Sequence, residues 1–72
     1  MPFSGDQVIA ALARLGFAQV HQRGSHVNLR RDLDGVRRTV VVPRHRELRR
    51  GTLAGIADQP GMTLADLERF LR

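Results

Sequence analysis

His21, His26 and His45 lie in or beside a stretch of the chain crowded with arginine. Histidine titrates near neutral pH, so it can give or take a proton during catalysis. Arginine presents a planar, permanently charged fork that matches phosphate oxygens. Together the two residue types suit cleavage of a phosphodiester. RNA carries its own nucleophile in the 2′-hydroxyl, so such a site calls for proton transfer and stabilisation of phosphorane charge rather than for a metal. A lone exposed histidine is most often inert, but His26 stands out by position. It directly follows Gly24-Ser25, a two-residue break between segments that alternate apolar and polar residues. Ser25 and His26 do not form a hydrolase dyad by adjacency, because neighbouring strand residues point apart.

The elements that must position His26 follow from that alternation. Ala18, Val20 and Gln22 alternate with Gln19, His21 and Arg23 before the break; Val27 and Leu29 alternate with His26, Asn28 and Arg30 after it. Period-2 patterning on both sides of Gly-Ser predicts a β-hairpin with a type II′ turn, Gly24 supplying the positive φ. The expected register sets Arg23 opposite His26, His21 opposite Asn28, and Val20 opposite Leu29. One face is then apolar through Val20, Val27 and Leu29. The other collects His21, Arg23, His26, Asn28 and Arg30, with His21 diagonal to His26 at about 7–8 Å between α-carbons.

The charge distribution agrees with this placement. The formal charge of the 72-residue chain is +5. Residues 19–50 hold nine arginines against Asp32, Asp34 and Glu47, a net of 9 − 3 = +6, while the flanking segments are neutral or slightly acidic. A localised basic region is the electrostatic footprint of nucleic-acid binding. A genome biased toward arginine codons accounts for the absence of lysine; it does not account for the clustering.

Several function classes find no support. No cysteine is present, so disulfides and thiolate metal sites are excluded and a cytoplasmic, reducing setting is the expectation. No apolar run approaches the roughly 20 residues of a membrane span, and the N-terminus lacks a signal-peptide pattern. The histidines and aspartates show no metal-ligand spacing, and there is no glycine-rich phosphate loop. No cofactor is called for. Phe3, Phe17 and Phe70 sit at core-like positions, which leaves base stacking without a platform.

The length suits one small domain spanning 1–72, with a modest core. The first helix opens with a capping box, Ser4 and Gln7, and a Phe3/Val8 staple; Val8, Ile9, Leu12 and Leu15 form its apolar stripe and Gly16 ends it. Strands are expected at about 18–23, about 26–31 and 39–42, the last two joined by a type I′ turn at Asp34-Gly35 that sets Leu29 opposite Val40 and Val27 opposite Val42. Pro43 should stop the third strand. The segment 43–50 reads as a polar surface loop. Leu53, Ile56 and Ala57 give the second helix its buried side before Pro60-Gly61, and Thr63 with Asp66 caps a third helix bearing Leu64, Leu67, Phe70 and Leu71. The predicted fold class is α+β in the order α-β-β-β-α-α, a three-stranded antiparallel sheet with helices on one face.

The chain resembles the HicA-type (YcfA-like) toxins, small mRNA interferases of toxin–antitoxin pairs. The resemblance rests on Leu15-Gly16-Phe17, Gly24-Ser25-His26, Val40-Val41-Val42-Pro43 with the basic stretch after it, Arg50-Gly51-Thr52-Leu53, and Met62-Thr63-Leu64. It implies a double-stranded-RNA-binding-domain-like fold, ribosome-independent cleavage of mRNA, and neutralisation by a HicB-like antitoxin that covers the active site. It places the family's essential histidine at His26 and its turn at Gly24, with Ser25 filling the turn; His21 and His45 are not carried over. Val27 stands where members often have a second histidine, and strand parity directs it to the core. Pro60 replaces the usual alanine near the end of the second helix.

The leading expectation is therefore an endoribonuclease in which His26 transfers protons and Arg23, Asn28, Arg30, Arg44, Arg46, Arg49 and Arg50 bind RNA. A non-catalytic RNA-binding module would share the fold and charge but show only salt-sensitive binding. An adaptor for an acidic protein is a third reading, which binding to a protein partner alone does not separate from the first.

Overall fold

In the computed structural model, which describes residues 3–71, the chain runs α1 (Gly5–Arg14), β1 (Ala18–Arg23), β2 (His26–Leu33), β3 (Val36–Pro43), α2 (Arg50–Asp58) and α3 (Leu64–Leu71). This is the predicted α-β-β-β-α-α order. The strands form one antiparallel sheet in the spatial order β1-β2-β3, and α1 and α2 pack against β3 and against α3.

Short-range chemistry sets the element ends. The Ser4 hydroxyl accepts from the Gln7 N–H at 3.1 Å, and the Gln7 side chain accepts from the Ser4 N–H at 2.8 Å. That reciprocal pair satisfies two of the donors a helix N-terminus leaves free. At the other end Gly16 takes φ 94°, and the N–H groups of Gly16 and Phe17 reach back to the carbonyls of Ala13 and Leu12, each at 3.0 Å. This Schellman closure turns Phe17 into the core. Thr63 and Asp66 cap α3 in the same reciprocal way.

The core is built from one face of the sheet and the helix stripes laid over it. Val27 and Leu29 of β2 and Val40 and Val42 of β3 are fully or almost fully buried, together with Val8, Ala11 and Leu12 of α1, Ile56 and Ala57 of α2, and Leu67 of α3. Leu29 faces Val40 and Val27 faces Val42, as the alternation requires.

Four expectations need correction. Val20 does not face Leu29. Gln19 takes that place, Val20 is the extra residue of a bulge between Gln19 and His21, and its side chain is 47% exposed. A bulge adds one residue to a strand and so breaks the period-2 assignment beyond it. β2 and β3 run longer than expected, because the two-residue turn at Asp34 (φ 52°) and Gly35 (φ 75°) lets pairing continue to Leu33 and Val36. Pro43 lies within β3 rather than after it. Val41 directs its N–H away from β2, to the Gln59 side chain at 2.9 Å, and Pro43 shares that parity, so its missing N–H costs the ladder nothing. Finally, 43–50 is not wholly a surface loop: Leu48 is 3% exposed and pairs with Phe3.

One arginine of the basic stretch is structural. Arg31 lies over the Phe17 ring at 4.7 Å and donates to the Leu15 carbonyl at 2.9 Å, tying β2 to the end of α1.

Candidate active site at the hairpin turn

Gly24 takes φ 59° while Ser25 stays in the ordinary negative range, the pattern of a type II′ turn. Arg23 and His26 face each other across it, and His21 faces Asn28 one pair further on. The Gln22 side chain donates to the Gly24 carbonyl at 3.1 Å and accepts from Arg44 at 3.3 Å. The turn is thus held from the neighbouring loop as well as from its own strands.

That loop carries a residue left out of the sequence-based site. The β2–β3 ladder ends with Pro43 opposite His26, and one further bond joins the Arg44 N–H to the Ser25 carbonyl at 2.6 Å. The chain then crosses the start of α1, where the Gly5 N–H donates to the His45 carbonyl at 2.8 Å. The consequence is that His45, not His21, meets His26. Their rings stand edge-on, 6.5 Å between centroids and 70° between planes, and both residues are solvent-exposed. The signal was present in the register: Val27 opposite Val42 already puts Pro43 opposite His26, two residues before His45.

Close approach makes this crossing possible. A β-carbon at Gly5 would overlap the Pro43 carbonyl oxygen and lie 2.7 Å from the Arg44 α-carbon. Only glycine fits between α1 and the loop.

The arginines divide by what they touch. Arg23 flanks His26 across the turn, and Arg46 follows His45 in the exposed part of the loop. Arg44 is engaged with Asp6 at 2.8 Å, which fixes the loop to α1. Arg30 lies 3.9 Å from Asp32, further along β2. Arg37 donates to Asp32 at 2.8 Å, and this hydrogen bond, aided by the charges of Arg37 and Arg30, holds the Asp32 carboxyl below the usual carboxylate range. Arg49 and Arg50 line a separate cleft of about 300 Å³ with Phe3, Leu48, Leu53, Leu64 and Glu68, apart from the histidine pair. Among the described residues no group of three His, Asp or Glu side chains is placed to hold a metal ion, and no helix is long and apolar enough to cross a membrane.

Two exposed imidazoles beside arginines can exchange protons with a bound phosphodiester. Fold and site define a small α+β domain with a basic, histidine-bearing hairpin at one end of its sheet. A family model described as HicA toxin of bacterial toxin-antitoxin matches residues 5–62, and so spans the hairpin, the loop and α2. The chain belongs to the HicA toxin family. No curated protein and no solved structure matches it.

Proposed function

We propose that this toxin is an endoribonuclease that cleaves mRNA in the cytoplasm through proton transfer by His26. The observation that carries the reading is the exposed His26, set by the Gly24-Ser25 turn directly across from Arg23. His26 exchanges a proton with the reacting phosphodiester while Arg23 and Arg46 draw the phosphate in and offset its charge. The 2′-hydroxyl attacks the adjacent phosphorus, the bond to the 5′-oxygen breaks, and a 2′,3′-cyclic phosphate is left. No metal enters this scheme. Asn28 and Arg30 extend the polar sheet face along which the strand lies, and Arg44, Arg49 and Arg50 add to the positive field. A HicB-like antitoxin, as the family resemblance implies, neutralises the toxin by covering the hairpin.

The nucleophile gives the test. A labelled single strand of RNA should be cut to products ending in 2′,3′-cyclic phosphate, and the same strand made with 2′-deoxyribose should survive intact. Equal cutting of both strands would refute the mechanism. Binding of both without cutting would leave an RNA-binding module.

A further inference from the structure

We propose that His45 is the second proton-transfer group of the site, working as a pair with His26. The proposal rests on the ribonuclease reading above and adds to it a residue on a different element.

Transesterification of RNA moves two protons in one turnover. One leaves the 2′-hydroxyl as its oxygen attacks phosphorus, and one joins the 5′-oxygen as its bond to phosphorus breaks. The attacking and leaving oxygens lie on opposite sides of the phosphorus, so a single imidazole on one side serves one of them well and the other poorly. Two imidazoles flanking the phosphate serve both: a neutral ring takes the first proton and a protonated ring supplies the second, so the enzyme's proton count is unchanged after cleavage.

The geometry on this surface fits that division. The ring centroids of His26 and His45 are 6.5 Å apart. Each ring reaches a reacting oxygen over a hydrogen bond of about 2.6–3.2 Å, so a phosphoryl group bound at the open side of the pair has a nitrogen on either flank. The edge-on angle of 70° keeps the rings from stacking on each other. Both side chains are exposed. Backbone bonds hold both: the Arg44 N–H to the Ser25 carbonyl, and the Gly5 N–H to the His45 carbonyl. The chain thus fixes the position of His45 without using its imidazole, which is left free for chemistry.

The charged groups around the pair suit an anionic substrate. Arg23 comes from β1, Arg44 and Arg46 flank His45 in the loop, and His21 lies diagonally on β1. The acid facing this region from α1, Asp6, is taken up by Arg44 at 2.8 Å.

The experiment compares wild type, His45→Ala, His45→Gln and His26→Ala on two substrates: an RNA dinucleotide, and a nucleoside 3′-(p-nitrophenyl phosphate) whose leaving group departs without a proton. Because the loop is held through the backbone, both His45 variants should keep the wild-type melting curve. On the dinucleotide both should lose about 10²–10⁴-fold in kcat with little change in KM, and the bell-shaped pH profile of kcat should lose one limb. The second substrate then assigns the role. If His45 is the acid, its removal costs less than about tenfold there; if it is the base, the full loss persists and the acidic limb is the one that flattens. Two results overturn the pairing: His45→Ala at the wild-type rate, or His45→Ala with both limbs intact and only KM raised, which would make it a binding residue. Failure of the underlying ribonuclease reading looks different. There the wild type cuts nothing, or His26→Ala cuts as fast as wild type.

Discussion

Gly5 and His45 are joined by a backbone hydrogen bond of 2.8 Å between the first turn of α1 and the loop that follows β3. This bond, with the one from Arg44 to Ser25, closes a ring of contacts from helix to loop to hairpin turn and back into the sheet. The two histidines sit where that ring opens to solvent.

Gly5→Ala therefore tests position rather than chemistry. Its new methyl group would overlap the Pro43 carbonyl, so the loop must move away from α1. Overpacking of this kind costs about 1–3 kcal/mol, seen as a lower urea midpoint at unchanged slope. Cleavage should fall even under conditions where the variant is fully folded. An unchanged midpoint would show that the loop is not fixed there.

Two other glycines should respond in opposite directions. Gly24 has open space around it but a φ of 59°, so Gly24→Ala should destabilise by about 1–2 kcal/mol through backbone strain alone. Gly55, inside α2 with nothing near its β-carbon position, has no such strain, and Gly55→Ala should stabilise by about 0.5–1 kcal/mol. Chemical denaturation of the pair checks both signs.

The sequence and the structure agree where the cause is local. The capping boxes at Ser4/Gln7 and Thr63/Asp66, the Gly16 closure and both hairpin turns are written within a few residues, and each forms as predicted. Alternation fixed which residues of β2 and β3 enter the core. It failed at Val20, because a bulge shifts parity without leaving a mark in the hydrophobic pattern. Leu48 was hidden by its six arginine, histidine and glutamate neighbours in 44–50, and its burial depends on Phe3, far away in the chain. The same limit applied to the site. His26 was legible from its turn, whereas the approach of His45 depends on Gly5, distant in sequence.

Arginines in the basic stretch should separate by assay. Arg31→Ala removes the contact with Phe17 and the bond to Leu15, and should cost about 1–2 kcal/mol in stability. Arg46→Ala, in the exposed loop, should leave stability within about 0.5 kcal/mol of wild type. It should instead lower the salt dependence of RNA binding by roughly one phosphate contact. Both are read by pairing denaturation with binding titrations in rising salt.

Asp32 gives a pH prediction with a definite sign. Its carboxyl is held below the ordinary aspartate value of 3.8, first by the hydrogen bond from Arg37. A lowered folded-state value means that any stabilisation it contributes is present above pH 3.8 and is lost as pH falls through the lower folded-state value. Following the Asp32 carboxyl carbon by NMR, Arg37→Gln should move the titration midpoint upward. No movement would show that the pair does not form in solution. The effect on activity near neutral pH should be nil, since Asp32 stays ionised in both proteins.

The most direct measurement of the central claim is cleavage of a labelled single-stranded RNA by purified protein in EDTA, wild type beside His26→Ala, with the fold of each checked by circular dichroism. The account predicts cutting by wild type in the presence of the chelator and none by the variant, both folded. Equal cutting by His26→Ala, or cutting by wild type that disappears with EDTA and returns with added metal, would contradict it.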